Sequence, residues 1–260
     1  MLSVRALDGM PRVVLLDWDN TLWPGFTVLE FSTLLVTRGL IDESVPADLE
    51  AAHDAYRKKA ATNEDVGAAY DGFAVTAEEI YLGGLRQPGV AQLEQAGEDF
   101  AALHDVYSST PRLVEAIRAH GWLPVVISGA PIEPVRARAR RMGIESIFAW
   151  QLLASNGTAM RGLLFGNTAR RLVKERLIQL LREQATIVAG FGDADADEPL
   201  LEAALLGVML DPPAPPNSEK RPPTIKHLAP RRDGSAAEAL RTEIDQFVAE
   251  IREIFRPAPL

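Results

Sequence analysis

Two aspartates one residue apart, Asp17 and Asp19, follow directly on four aliphatic residues, 13–16, and Thr21 continues the same spacing. Side chains two apart on extended chain point to one side, so the three can face a common space. A carboxylate there can attack as a nucleophile while a second one gives and recovers a proton. An aspartate-rich turn with solvated side chains is the plainer reading of this stretch taken alone. The segment GFGDADADEPLL, 190–201, repeats the theme after another aliphatic run, with four acids between Asp193 and Glu198. Crowded like charges are costly unless solvent or a cation relieves them, and hard divalent metals prefer oxygen ligands. Asp193 and Asp197, four apart, can be aimed at one region by a helix starting here. Acids that only stabilise a helix N-terminus would look the same.

VVISGAP, 125–131, ends a third aliphatic run with Ser128 and Gly129, whose hydroxyl and backbone amide suit phosphate oxygens. Simple turn chemistry is the alternative. Lys174, with Arg170 and Arg171 a turn earlier, precedes the acidic run and could supply a cation, although basic residues on a helix face are usually only solvated. Gly190-Phe191-Gly192 begins a dinucleotide fingerprint, but its third glycine position is Asp195, where acids would repel a pyrophosphate. Ser128 lies outside a GxSxG elbow, and the four histidines form no motif.

These residues need elements to position them. The runs at 13–16, 123–127, 186–189 and 207–210 predict buried parallel strands, which are continuously hydrophobic rather than alternating. Ser109-Thr110-Pro111 predicts a capped helix start and Gly121 its stop; Asn167 is expected to cap a helix carrying Leu177, Ile178 and Leu181. Strands alternating with helices indicate an α/β domain with a parallel sheet. Residues 24–108 instead show only helical patterns, which predicts a helical domain inserted after the first strand. A hairpin with an Asn156-Gly157 turn is expected between 147 and 166, and a short edge strand at 224–228. The proline-rich stretch 212–223 predicts a surface loop. An amphipathic helix is expected over 235–255, packed on this chain or, alternatively, forming a homodimer contact.

With 260 residues, 47% hydrophobic and 24% charged, the chain is long enough for a substantial core. A net charge of −9 argues against a nucleic-acid partner, since phosphate backbones demand a basic surface. No apolar run approaches the roughly 20 residues of a membrane span. The absence of cysteine excludes disulfides, thiolate nucleophiles and cysteine zinc sites. Without a recognisable signal at the N-terminus, the cytoplasm is the expected compartment.

Taken together, DWDNT, VVISG, Lys174 and GDADAD resemble the four motifs of the haloacid dehalogenase superfamily. The segment 141–162 and the helical insertion are most similar to its phosphoserine-phosphatase-like branch. The resemblance implies a Rossmann-like parallel-sheet core, 1–23 and 109–260, with a helical cap domain, 24–108. It implies that Asp17 attacks phosphorus to form an aspartyl-phosphate and that Asp19 protonates the leaving alcohol and then activates water. Magnesium would be held by Asp17, Asp193 and the backbone carbonyl of Asp19, supported by Asp197. Ser128, Gly129 and Lys174 would hold phosphate oxygens, with Arg170 or Arg171 as the alternative cation. The expected reaction is hydrolysis of a small phosphorylated metabolite; transfer or mutase chemistry on the same site, and a silent phosphate-sensing or partner-binding module, are the alternatives. Phosphoserine-specific members carry a glutamate shortly after the first motif. That place falls here at Phe26, with Glu30 one turn later, which speaks against phosphoserine itself. Trp23, Phe26 and the run Arg57-Lys58-Lys59 are candidate substrate contacts.

Overall fold

The computed structural model describes residues 9–62 and 65–210 and the backbone of 225–228. The expected loop at 212–223 and helix at 235–255, with its homodimer contact, lie outside the described residues. A first strand, β1 (Arg12–Leu16), leads into four successive helices: α1 (Thr27–Thr37), α2 (Val45–Ala61), α3 (Val66–Gly84) and α4 (Val90–Leu103). Alternation then resumes with α5 (Thr110–Ala119), β2 (Leu123–Pro131), α6 (Ile132–Arg141) and β3 (Ser146–Trp150). After the hairpin β4 (Leu152–Ser155) and β5 (Thr158–Leu163) come α7 (Arg171–Gln184), β6 (Thr186–Gly192), the short α8 (Glu198–Glu202), β7 (Leu206–Leu210) and β8 (Ile225–Leu228).

The main sheet is parallel throughout, in the order β3-β2-β1-β6-β7-β8. Alternate residues of its strands enter two separate apolar clusters. Val14, Leu16, Val126 and Val188 pack with α5, α6 and the helical insertion, whereas Val13, Leu15, Val125 and Ile187 pack with α7 and α8. Burial on both faces explains why these strands are hydrophobic at every position.

Two of the ties between the insertion and the rest of the chain involve α7 and the hairpin. Asn167 Nδ2 donates to the Ala74 carbonyl at 2.8 Å, and the Arg171 amide donates to Asp71 Oδ1 at 2.9 Å, so α3 is docked on the start of α7. The hairpin supplies the second tie, through Val90 N to Gly157 O at 2.8 Å and Ala159 N to Pro88 O at 2.9 Å. Its turn is Asn156-Gly157 as expected, with φ of 49° and 77°, the pair of left-handed residues that a tight two-residue turn needs.

Three local expectations are corrected. Asn167 does not cap α7: the helix starts at Arg171, and Asn167 Oδ1 instead accepts from Trp150 Nε1 and Ala169 N, each at 3.0 Å. Ser109 precedes α5 but makes no side-chain cap bond; Thr110 Oγ1 donates to the Leu22 carbonyl at 2.8 Å. The segment after 146 is not only a hairpin, because residues 146–150 form a strand of the main sheet beside β2.

Where α6 meets α4, Glu133 Oε2 is buried without a hydrogen-bond partner among the described residues, as is the Tyr81 hydroxyl. Burial pushes the Glu133 carboxyl up to about 7. An acid whose pKa is raised by folding holds its proton more tightly in the native state, so stability falls as pH rises from the unfolded value toward 7 and is level above it. Glu133→Gln is expected to remove this loss: melting curves should show the variant gaining on the parent between pH 5 and pH 8. A difference in Tm that does not change with pH would refute that assignment.

Candidate active site

The Asp17 amide donates to the Phe191 carbonyl at 2.9 Å, which carries the pairing of β1 with β6 one residue past the strand end. Register places Leu16 opposite Val126 of β2 on one side and Phe191 of β6 on the other. The acids after β1 and β6 and the serine near the end of β2 thereby share the carboxyl edge of three adjacent strands, where open α/β sheets bind ligands.

Beyond β1 the chain turns sharply. The amides of Thr21, Leu22 and Trp23 all reach the Trp18 carbonyl, and Asn20 takes φ of 54°. This turn separates the two aspartates of the first motif by environment. Asp17 is 7% exposed, and Lys174 Nζ reaches its Oδ1 at 3.3 Å. Asp19 faces the insertion, where the amide of Thr27, first residue of α1, donates to both its oxygens at 3.2 Å and the Thr27 hydroxyl also donates to Oδ1. Burial pushes Asp19 up to about 7 despite these donors.

Lys174, on the first turn of α7, is 2% exposed and bridges to Asp197 Oδ1 at 2.6 Å as well as to Asp17. Burial disfavours its charge, but Asp197 and Asp17 outweigh that and raise its pKa, so the ammonium is kept. Asp197 is itself buried, closing a 3-10 turn at Asp195–Asp197 rather than a full helix. Its Oδ2 accepts from the amides of Asp193 and Ala194, each at 3.2 Å. Asp193 is half-buried and accepts from the Thr21 hydroxyl at 3.4 Å.

Carboxylate oxygens of Asp17, Asp193 and Asp197 lie within 4.8 Å of one another. Burial and then the Asp197 charge raise the pKa values of both Asp17 and Asp193, against the opposing pull of Lys174. One ammonium is thus shared among three carboxylates in a site from which water is largely excluded. Hard oxygen donors at this spacing fit a small divalent cation, which would restore the balance.

Ser128 is 1% exposed, and its hydroxyl oxygen accepts from the Ala130 amide at 3.2 Å. Its carbonyl accepts from Thr168 Oγ1 at 2.5 Å. Gly129 lies so close to the next residue of that loop that a Cβ would come within 2.5 Å of the Ala169 Cβ. The 167–169 loop therefore clasps the end of β2 to the start of α7.

Of the alternative cations, Arg171 pairs with Glu175 and Glu198 rather than with the aspartate cluster, and the buried Nε of Arg170 has no partner among the described residues. Trp23 is packed against Phe100 and His104, and Arg57, Lys58 and Lys59 are exposed. Sequence reasoning missed Thr27, which holds Asp19, and Asp71, which docks α3, and gave Asn167 only a capping role. A threonine or asparagine that acts by long-range hydrogen bonding has no distinguishing local pattern.

A family model of haloacid dehalogenase-like hydrolases matches residues 14–202, and the chain belongs to that family. No protein with a curated description matches the sequence. Among solved structures, a protein of unknown function from Bordetella pertussis Tohama I is similar at a TM-score of 0.57 and 18% identity, covering 81% of this chain and 94% of that one. A phosphoserine phosphatase in apo form has a TM-score of 0.57 at 15% identity, covering 89% and 98%. A phospho-aspartyl intermediate analogue of phosphoserine phosphatase has a TM-score of 0.52 at 14% identity, covering 78% and 88%. At these identities the structural likeness is one of fold.

Lys174→Met would leave Asp17 and Asp197 without their shared cation. Removing one partner of a buried ion pair costs ~3–5 kcal/mol, and urea unfolding at neutral pH with chelator present is expected to show a loss of that order. An unchanged midpoint would mean that the ammonium does not hold these carboxylates.

Proposed function

We propose that this protein is a magnesium-dependent phosphomonoester hydrolase that acts on a small phosphorylated metabolite through an aspartyl-phosphate. The observation that carries the reading is the buried contact of Lys174 with both Asp17 and Asp197, with Asp193 alongside, at the carboxyl edge of the sheet. A nucleophilic carboxylate can approach an anionic phosphate only where positive charge is fixed in advance. The family membership supports hydrolysis, and the phospho-aspartyl analogue described for a protein of the same fold supports a covalent route.

In this reading Asp17 attacks phosphorus. Its oxygen bonds to phosphorus as the bond to the alcohol oxygen breaks, and Asp19 passes its proton to the departing alcohol. Water then attacks the same phosphorus, its proton returns to Asp19, and the bond to Asp17 breaks to release phosphate. The raised pKa of Asp19 suits a group that must begin as an acid. Lys174, Ser128 and the Gly129 amide hold phosphate oxygens. Magnesium, held by Asp17, Asp193 and the Asp19 carbonyl with Asp197 in support, would supply charge neutralisation. The helical insertion, 24–108, acts as a cap over the core formed by 1–23 and 109–260.

Phosphate release from a panel of phosphorylated metabolites is expected to require Mg2+, to stop with chelator, and to fall on the order of a thousandfold or more in Asp17→Asn. Full turnover by that variant would sink the proposal. Asp19→Asn should separate substrates by leaving group. Its loss in kcat/KM is expected to be at least about tenfold larger for an alkyl phosphate than for p-nitrophenyl phosphate, because nitrophenolate departs without a proton. Equal losses would remove Asp19 from the acid role.

A further inference from the structure

A cleft of about 950 Å3 lies between the linker 105–108, which leads from α4 to α5, and the helices α5 and α6. It shares no residue with the aspartate cluster. Three arginines line it, Arg118 from α5 and Arg138 and Arg141 from α6, against two acids, Asp105 and Glu115. On a chain of net charge −9 this local excess of basic groups stands out. Tyr107, Pro111 and Met142 add apolar surface to the lining. Room for a small molecule, apolar surface and a few charged groups are what ligand clefts combine.

The arginines are held in place but not saturated. The Arg138 side chain is 16% exposed, and its Nη2 donates to the His104 carbonyl and to Asp105 Oδ1, the latter at 3.0 Å. Its Nε is buried without a partner among the described residues. Asp105 is 98% exposed, so water screens that ion pair and another anion can displace it at little cost. Arg118 Nη1 donates to the carbonyl of Met142, one turn beyond Arg138, at 3.5 Å, and Arg118 has no ion pair among the described residues. Gly143 makes its seat: with φ of 78° and no side chain, it leaves space that a Cβ would take from Nη1.

The cleft also adjoins the chain that leads into the reacting groups. The Leu22 carbonyl, in the turn that contains Asp19, accepts from the Tyr107 amide at 3.1 Å and from Thr110 Oγ1 at 2.8 Å. Arg138 borders a small gap shared with Trp18, Trp23 and His104, and the His104 ring stands edge-on to Trp23 at 5.9 Å. A ligand that fixes the linker or draws on Arg138 therefore acts on the turn after β1.

We propose that this cleft is a second ligand site, which binds a small organic molecule with an oxyanion head. Arg118 and Arg138 take the head, since a guanidinium pairs with carboxylate and phosphate oxygens alike. Tyr107, Pro111 and Met142 take the body. Binding steadies the 105–108 linker and, through Leu22, the turn that contains Asp19. The site is regulatory, and it stands independently of the reaction at the aspartates.

Calorimetric titration of the full chain with benzoate, phenylphosphonate and benzyl alcohol tests the site. The three share a ring and differ in the head: a carboxylate, a phosphate mimic and a neutral hydroxyl. At least one anion is expected to bind tenfold or more tighter than the alcohol, and the tighter anion identifies the head. Arg118 is exposed, so Arg118→Gln should keep the parent Tm while weakening that binding about tenfold or more, the effect of losing a hydrogen bond from a charged donor. Arg138→Lys, where it melts cooperatively, should do the same. With the anion bound, amide hydrogen exchange should slow in residues 104–110 and 17–26 of the parent and in neither segment of Arg118→Gln. Anions that bind no better than the alcohol overturn the second site. So does an affinity unchanged in Arg118→Gln, the behaviour of a ligand held at the aspartates instead. Protection confined to 104–110 overturns the link to Asp19.

Discussion

The site depends on the buried ammonium of Lys174, placed between Asp17 and Asp197. Three carboxylates converge there against one lysine, in surroundings that exclude most water. Such an arrangement is unfavourable to folding by itself, because desolvating charge costs more than imperfect pairing returns. It persists because every member is held by something else. The Asp17 amide is part of the sheet, Asp197 accepts two backbone amides, and Asp193 accepts from Thr21. Lys174 rises from a helix whose start is clasped to β2 by Thr168 and to α3 by Asp71. A cluster that opposes folding yet is braced on all sides is the signature of a functional site.

The two aspartates of the first motif illustrate how environment divides labour between identical side chains. Asp17 belongs to the sheet edge and shares a cation. Asp19, two residues later, takes its donors from Thr27 at the start of α1. In the proposed mechanism the proton-carrying group is therefore held by the insertion, through Thr27, while the nucleophile is anchored in the core. Any displacement of α1 relative to the sheet would act on Asp19 through Thr27.

Much of this was legible along the chain. Strands buried on both faces are continuously aliphatic, so β1, β2, β6 and β7 stood out. The Asn156-Gly157 turn was readable because only such residues take the required backbone conformation cheaply. Less legible was β3: residues 146–150 are short, and only Ala149 and Trp150 are fully buried, so the segment merged with the hairpin after it. Asn167 was misread as a cap because asparagine before a helix fits that pattern. Its actual partners, Trp150 and Ala74, are distant in sequence and visible only when folded.

The local order of residues alone determined the parallel α/β core, the helical insertion and the chemical character of the motifs, because burial period, turn preference and charge are properties of neighbouring residues. Tertiary structure decided which cation meets Asp17, since Lys174 lies 157 residues away and Arg170 and Arg171 are as basic. It also gathered Phe26, His53, Tyr56, Tyr70 and Phe73 into one packed cluster from three separate segments. The physical reason is the same in both cases. A charge pair or ring stack acts over a few ångströms, and only the packing of α1–α3 and α7 against the sheet edge brings those groups within that range.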